Sequence, residues 1–288
     1  EKRIAFIKNN HFNIISLDRA VRLLKKGELP DYPVVITIDD GFYSTYKEAF
    51  PILNESSIPA VVYVTTYYAV KQTPVFRLVV QYMFWKTKKD KLNLLELTGR
   101  EAKTVGISDP ESSESIIWEI IKYGEIMCEQ SGRENILRKL GERLDVDYDK
   151  IRESRMFSIM SIEELKDIKE GGIDLELHTH RHNFPVKKEI AKKEIQDNRQ
   201  ILKGKLHAGA NHFCYPSGYW KECQLPWLRE LNVHSGVTCD PGLNYPSDNE
   251  LVLKRFLDGQ NISEIEFKAE MFGFLELMRK FKKILNGS

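Results

Sequence analysis

A short apolar strand that ends in two carboxylates constrains this chain more than any other feature. Val34–Ile38 is a run of five β-branched residues, the pattern of a buried strand, and Asp39, Asp40 and Gly41 follow it. Neighbouring side chains on a strand point to opposite faces, so Asp39 and Asp40 are expected to differ in role. One can bind a metal while the other stays free as a base. Taken alone, Asp-Asp-Gly is also the composition of an ordinary turn.

Strands and helices alternate over two parts of the chain, and this alternation predicts the fold class. The strand at 34–38, a helix opening at the Thr45–Glu48 capping box and an apolar strand at 58–65 form a βαβ unit. Such a unit requires parallel strands, and the apolar run 58–65 indicates burial on both faces. Further strands are predicted at 173–177, 211–215, 233–238 and 252–256. The pattern predicts an α/β barrel with its active site at the carboxyl ends of the strands.

A helical segment separates the two alternating parts. Residues 75–85, 116–128 and 134–144 have helical apolar spacing, so we interpret about 67–157 as a helical insertion in a single catalytic domain covering 1–288. A C-terminal helix is predicted at about 262–285. Its inward face is expected to comprise Ile265, Met271, Phe274, Leu275, Met278, Phe281 and Leu285.

Charge and composition exclude several classes of protein. The net charge is +1 and basic residues are spread along the chain, which argues against a nucleic-acid partner. No apolar run approaches the roughly 20 residues that a transmembrane helix needs. The four cysteines lack metal-finger spacing and are expected to be free, buried thiols. The sequence opens at Glu1 without a methionine, which favours a trimmed chain and leaves its location open.

Three histidines follow the predicted strand at 173–177. His178, His180 and His182 are three of the seven histidines in the chain, and their clustering at a strand end favours metal ligation. Two imidazoles and one carboxylate leave positions on an ion open for water and substrate, which is the pattern of a catalytic site. Together with a spare carboxylate as base, this set is suited to hydrolysing an amide or an ester.

A third stretch, Phe213–Gly218, again leads from a strand into a turn. Pro216 and Gly218 flank one residue, Ser217, and can fix its backbone N–H toward the site. Such a donor would stabilise the oxyanion of a tetrahedral intermediate. Pro-Ser-Gly is also a common turn, so this signal is weak by itself.

These stretches resemble the motifs of the polysaccharide deacetylases (carbohydrate esterase family four, the NodB homology domain). Thr37–Gly41 resembles the T-F-D-D-G motif, and His178–His182 matches the H-[ST]-x-x-H motif in full. Phe213–Gly218 is similar to the F-x-Y-P-x-G form of the third motif. The resemblance covers roughly residues 5–66 and 156–258.

The resemblance implies an irregular (β/α) barrel of about seven parallel strands and one divalent metal ion. Asp40, His178 and His182 would hold the ion, most commonly zinc, with cobalt, manganese and nickel as alternatives. The reaction would be removal of an acetyl group, chiefly N-acetyl, from a polysaccharide or oligosaccharide. The expected setting is exopolysaccharide, capsule or cell-envelope metabolism, which favours action outside the cytoplasm.

The same resemblance implies roles for residues around the metal. Asp39 would be the general base that activates the attacking water, and the Ser217 backbone N–H would help form the oxyanion hole. Tyr215 and Pro216 would shape the groove and bind substrate. Arg255, at the end of the last predicted strand, is our substitute for the family arginine that orients the base, because Cys214 stands near that position here.

The general acid is unassigned. The late L-x-H motif of the family has no clear counterpart; His234 precedes a strand and is expected to be structural, while His180 is nearer the metal motif. Glu176 lies two residues before His178, and a partnership with a ligand histidine is one interpretation of it.

Two other interpretations of the chain stay open. An amidohydrolase-type barrel would use His178–His180 as an HxH motif, although that class places its HxH after the first strand and its catalytic aspartate last. A carbohydrate-binding pseudoenzyme would explain the missing arginine and histidine. In both interpretations that involve a carbohydrate, the deacetylase and the pseudoenzyme, the expected partner is an acetylated glycan. The oligomeric state stays open.

Overall fold

The computed structural model describes residues 1–98 and 103–285, which form two compact units. Of the described residues, the first unit comprises 1–41, 45–67 and 162–285, and the second comprises 42–44, 68–98 and 103–161. The strands are β1 (Asn13–Ile14), β2 (Pro33–Val34), β3 (Ile36–Ile38), β4 (Ala60–Val64), β5 (Lys91–Asn93), β6 (Thr104–Gly106), β7 (Asp174–Leu177), β8 (His212–Cys214) and β9 (Ser235–Val237).

The α-helices vary from one turn to five. They are α1 (Lys2–Asn9), α2 (Leu17–Lys26), α3 (Phe50–Glu55), α4 (Thr66–Lys71), α5 (Phe76–Lys86), α6 (Pro110–Met127), α7 (Gln130–Leu144), α8 (Tyr148–Ser154), α9 (Ile162–Glu170), α10 (Lys188–Leu206), α11 (Leu225–Glu230), α12 (Glu264–Met271) and α13 (Phe274–Leu285). A π-helical turn at Thr45–Ala49 precedes α3, so the predicted helix after the Thr45–Glu48 pair is present.

A parallel sheet forms the centre of the first unit. Its strand order is β3-β4-β7-β8-β9, and a separate parallel pair joins β1 to β2. The predicted α/β class with parallel strands is confirmed. The described residues thus contain seven parallel strands as expected, arranged as a five-stranded sheet and a pair.

The strand β4 is buried along its whole length, as the apolar run predicted. Val61 and Tyr63 pack with Cys214, Val237 and Leu253 in one apolar cluster. Because β3, β4, β7, β8 and β9 are all parallel, the residues that follow them in the chain meet at one edge of the sheet. The motif residues lie at this edge.

The second unit has its own core. Helices α5, α6 and α7 contribute Phe76, Met83, Ile120 and Leu140 to it, so the three predicted helices of this segment are present. The antiparallel hairpin β5–β6 and helix α8 were not predicted. The interpretation of this unit as an insertion into a single catalytic domain stays a prediction.

The strand predicted at 252–256 is wrong. The structure has a 3-10 turn at Glu250–Val252 and a single parallel bridge between Val237 and Leu253. The Asn244 side chain accepts a hydrogen bond from the Lys254 N–H at 2.8 Å and donates one to the Lys254 carbonyl at 3.0 Å. On the other side of this segment, Leu253 bonds to Gly236 and Thr238, but the next N–H in register, that of Arg255, bonds to the Asp240 carbonyl beyond the end of β9, so no ladder continues.

The predicted single C-terminal helix is two helices, α12 and α13, separated at Gly273. Gly273 has φ +76°, a backbone conformation that ends a helix and favours glycine. The predicted inward face is also wrong, because Ile265, Phe274, Met278, Phe281 and Leu285 are exposed. Among the described residues of these helices, the buried side chains are Phe267 and Glu270. No described helix is long and apolar enough to span a membrane.

Two glycine substitutions should have opposite effects on stability. A Cβ on Gly236 in β9 would lie 2.4 Å from the Leu251 carbonyl oxygen, so we expect Gly236→Ala to lower the free energy of unfolding by about 3 kcal/mol. A Cβ on Gly204 in α10 meets no atom within 4 Å, and alanine there should stabilise the helix by about 0.5 kcal/mol. Urea unfolding followed by circular dichroism measures both, and equal midpoints would contradict the expectation.

Candidate active site and metal centre

The motif residues meet at the carboxyl edge of the sheet in the first unit. Asp39 and Asp40 follow β3, His178 follows β7, and Tyr215 follows β8. Each is the first or second residue after its strand, so the sheet fixes the point from which its side chain starts. The structure thus places residues that are far apart in sequence around one centre.

Asp40, His178 and His182 form a cluster that fits one metal ion. The Nε2 atoms of both histidines lie 3.3 Å from Asp40 Oδ1. The two ring centroids are 4.9 Å apart, and the three possible ligand atoms lie within 4.8 Å of one another. Two imidazole nitrogens and one carboxylate oxygen that converge on one point form a suitable donor set for a divalent transition metal.

The backbone is strained where this cluster is built. Asp40 has φ +65°, Thr179 +62° and His182 +56°, all in the left-handed region that residues other than glycine rarely adopt. The Thr179 hydroxyl accepts the Asn183 N–H at 3.0 Å and stabilises the turn between the two histidines. Strain of this kind concentrates at functional sites, where surrounding structure holds the unusual conformation.

His178 is held in one orientation and one tautomer. Its ring is buried, and Nδ1 lies 2.8 Å from the Cys214 carbonyl oxygen, which can only accept. Nδ1 therefore carries a proton, and Nε2 is the ring nitrogen that faces Asp40 and would bind an ion. The His178 backbone N–H donates to Asn198 Oδ1 at 3.0 Å, and the Asn198 side chain also donates to the Val64 carbonyl. Asn198, on the buried face of α10, was not predicted as a site residue.

Asp39 has a different partner from its neighbour. The guanidinium of Arg255 forms two hydrogen bonds with it, from Nη1 to Oδ1 at 2.7 Å and from Nη2 to Oδ2 at 2.8 Å. Arg255 is itself held by the Thr238 carbonyl at 2.9 Å and the Thr37 hydroxyl at 3.1 Å. Burial alone would raise the pKa of Asp39, but Arg255 outweighs it and the net pKa is lowered. The carboxylate therefore stays ionised.

Two cysteine sulfurs lie beside the same guanidinium. Cys214 Sγ is 3.3 Å from Arg255 Nη2, and Cys239 Sγ is 4.0 Å from it. Burial raises the pKa of Cys214, which keeps it a neutral thiol. All four cysteines are free as predicted, but only Cys214 is buried: Cys128 and Cys239 are partly exposed and Cys223 is exposed. Asp39, His178 and Cys214 also lie close enough to hold an ion, although Arg255 already occupies the Asp39 carboxylate.

The third motif forms a tight turn. Ser217 has φ +56° and ψ +15° and lies in the first turn of a 3-10 helix at Pro216–Gly218, where helix N–H groups have no partner within the helix. Gly218 packs against Cys239, which a Cβ would meet at 2.7 Å. The turn therefore lies close to Arg255, because the sulfur of Cys239 is beside that guanidinium.

Tyr215 is fully buried, and its hydroxyl donates to the Leu251 carbonyl at 2.8 Å. Its ring packs against Phe213, with centroids 4.9 Å apart. Any effect of Tyr215 on substrate is therefore indirect, through the position of the turn that follows it. Pro216 is buried as well, and substrate binding by these two residues stays a prediction.

The other histidines of interest point elsewhere. His180 Nδ1 lies 2.9 Å from the Thr66 hydroxyl, so its ring is directed away from the cluster of Asp40 and His182. His234 is exposed and precedes β9, which places it at the amino edge of the sheet, opposite the site. Neither is positioned as the general acid.

The hypothesis that Glu176 partners a ligand histidine is wrong. Its carboxylate accepts the backbone N–H groups of Asn211 at 2.6 Å and His212 at 2.7 Å. Both groups lie where the chain enters β8, at the amino edge of the sheet. Burial raises the pKa of Glu176 to about 7 against the lowering effect of these bonds. Glu176 therefore anchors the start of a strand.

Solved deacetylase structures share this fold. A Streptococcus pyogenes deacetylase, PplD in complex with acetate, matches with a TM-score of 0.59 and 18% identity over 93% of this chain and 84% of that chain. IcaB from Ammonifex degensii matches with 0.58 and 17% over 94% and 86%, and the BpsB deacetylase domain from Bordetella bronchiseptica with 0.53 and 16% over 88% and 82%. At this level of identity the likeness concerns the fold.

A family model supplies the sequence evidence. The polysaccharide deacetylase model matches residues 149–235, which include His178, His182 and the turn at Pro216–Gly218. The resemblance to the polysaccharide deacetylases is confirmed. The polysaccharide deacetylase match does not extend to Asp39 and Asp40, which the structure brings to the same centre. No curated protein matched the sequence.

Proposed function

We propose that this protein is a metal-dependent carbohydrate deacetylase that removes N-acetyl groups from a polysaccharide or oligosaccharide. One observation carries the proposal: adjacent carboxylates have separate partners. Asp40 faces two imidazoles at 3.3 Å, while Asp39 is bound by Arg255. A metal ligand and an ionised base side by side are the requirement for hydrolysis of an unactivated amide.

Asp40, His178 and His182 are the residues that would hold the ion. Their nitrogen and oxygen donors suit zinc, the ion that the family resemblance favours, and cobalt, manganese and nickel accept the same set. When bound, a divalent ion supplies Lewis acidity to the acetyl carbonyl and to the attacking water. The chain contributes the fixed tautomer of His178, because its Nδ1–H is engaged by the Cys214 carbonyl.

Asp39 is the base in this proposal. Arg255 uses one lone pair on each carboxylate oxygen, and each oxygen keeps another with which to accept a proton from water. The guanidinium fixes the orientation of the carboxylate and keeps it ionised. The Ser217 N–H, presented by the strained turn, is the donor assigned to the developing oxyanion, and Pro216 limits the space beside it.

The proposed activity can be tested by acetate release. The zinc-supplemented protein would be incubated with N-acetylglucosamine oligomers of different linkage, an O-acetylated xylan and a panel of small amides. Acetate and free amines would be measured by mass spectrometry. We expect acetate from the N-acetylated oligomers; hydrolysis of the small amides alone would favour the amidohydrolase reading instead.

The pseudoenzyme reading loses part of its support. It depended on the missing family arginine and the missing late histidine, and Arg255, at 2.7 Å from Asp39, would serve as the first of these groups. Tight binding of acetylated oligomers without acetate release, in protein that carries a metal ion, would restore it. A carbohydrate deacetylase of this type favours action in the cell envelope, which cell fractionation would test.

Arg255→Lys should lower kcat by between about 10-fold and 100-fold. Lysine keeps the positive charge but cannot form two parallel hydrogen bonds, so Asp39 loses its fixed orientation. Metal content should not change, because Arg255 does not contact the metal cluster. Arg77→Lys is the matched control, since Arg77 makes a similar bidentate pair with Glu125 in the second unit. Equal kcat values for the two variants would contradict this role of Arg255.

A further inference from the structure

Helix α13 presents an apolar face to solvent. We define the outer face of α13 as Phe274, Leu277, Met278, Phe281, Ile284 and Leu285. About half or more of the surface of each of these residues is exposed, and α13 contains no buried residue. At 100° per residue these positions cover an arc of about 120° on one side of the helix.

The opposite, polar side of α13 is held against the protein. Arg279 forms hydrogen bonds with the buried Glu270 at 3.0 Å and with Glu276 at 3.1 Å. Lys280 donates to the Tyr245 hydroxyl at 2.6 Å. Rotation of the apolar side inward would break these contacts and leave the Glu270 charge buried and unpaired. The outward direction of the apolar face is therefore built into the fold.

Basic residues border the outer face on both sides. By helical position, Lys282 and Lys280 lie about 100° either side of its centre, and Lys283 lies opposite it. The helix carries four basic residues and one acidic residue, Glu276. Flexible lysine side chains beside an apolar face can reach outward to anionic groups at the level of that face.

We propose that α13 docks this protein on an anionic lipid bilayer, with the outer face in the acyl boundary and the flanking Lys280 and Lys282 on lipid phosphates. An apolar face flanked by lysines matches an interfacial amphipathic helix. A second copy of the chain fits less well, because symmetric pairing of the outer faces brings like-charged lysines together. The 12 residues of α13 extend about 18 Å, so the helix lies in the bilayer surface. The proposal is independent of the deacetylase activity.

Vesicle co-sedimentation tests this proposal. The full chain would be mixed with vesicles of phosphatidylcholine, or of equal parts phosphatidylcholine and phosphatidylglycerol. We expect binding to the anionic vesicles and a partition coefficient lowered at least about 100-fold in the double variant Leu277→Asp/Phe281→Asp. Lys280→Gln/Lys282→Gln should lower it about 30-fold. Ile190→Asp, at an exposed apolar position on α10, should bind as the wild type does.

Other results would overturn the proposal. Equal binding to both vesicle types would contradict recognition of anionic lipid, and anionic binding that survives Leu277→Asp/Phe281→Asp would remove α13 as the anchor. Absence of vesicle binding together with a dimer by light scattering, lost in the same double variant, would identify a second copy as the occupant. Circular dichroism of each variant verifies folding, which exposed positions should not disturb.

Discussion

Asp39→Asn is expected to lower kcat for deacetylation by about 1000-fold while the protein retains its metal ion. Asparagine has the shape of aspartate but cannot accept a proton from water at neutral pH. It also keeps one oxygen for Arg255, whose two bonds to the carboxylate are 2.7 Å and 2.8 Å long. The measurements are kcat on an acetylated oligosaccharide and metal content by elemental analysis.

Asp40→Asn is the matched comparison, because the same chemical change is made one residue away. Asp40 faces His178 and His182 at 3.3 Å, so its loss should reduce metal affinity at least about 10-fold as well as activity. Excess zinc should partly restore Asp40→Asn and leave Asp39→Asn inactive. If zinc rescued both variants alike, the separation of base and ligand between the two carboxylates would be wrong.

Local sequence patterns predicted where the candidate site lies, because they predicted parallel strands whose carboxyl ends meet there. The β-branched run before Asp39 and the strand before His178 predicted two strand ends, and parallel pairing through β4 brings those ends together. No knowledge of distant packing was needed for that step. The roles of the site residues stay predictions, since geometry alone does not measure catalysis.

Side-chain partners depended on contacts that no local pattern contains. Arg255 was proposed as the partner of Asp39 from its place at the end of a predicted strand. It reaches Asp39 because Leu253 bridges to Val237 beside the sheet, a pairing made by irregular chain rather than by that strand. Glu176 was misassigned because its carboxylate turns to the N–H groups of Asn211 and His212 on the neighbouring strand. In both cases the contact is made across the sheet, and sequence spacing alone does not determine its geometry.

The terminal helix illustrates a different limit. Its spacing correctly indicated an amphipathic helix, and the usual assumption that the apolar side faces the core gave the wrong orientation. The ion pair of Arg279 with the buried Glu270 determines the orientation of the helix. Leaving the buried Glu270 charge unpaired would cost more free energy than leaving one apolar helix face exposed. Glu270, nine residues before Arg279, thus holds the helix in the orientation opposite to the one that the apolar pattern predicted.

Removal of either histidine ligand should abolish metal binding. His178→Ala and His182→Ala each delete one of two nitrogen donors, and we expect the content to fall from about one equivalent of zinc to none. Activity should fall with it. His182 is the safer variant, because its side chain is 24% exposed whereas that of His178 is 2% exposed and leaves a cavity when truncated.

His180→Ala provides the control for this prediction. His180 belongs to the same five-residue motif, yet its ring lies against the Thr66 hydroxyl at 2.9 Å. Added zinc should raise the melting temperature of the wild type and of His180→Ala, because a ligand that binds only the folded state stabilises it. It should leave His182→Ala unchanged. If the zinc-dependent shift in melting temperature vanished in His180→Ala and persisted in His182→Ala, the ion would be bound by another set of donors. The geometric argument for Asp39 as the base would then no longer hold.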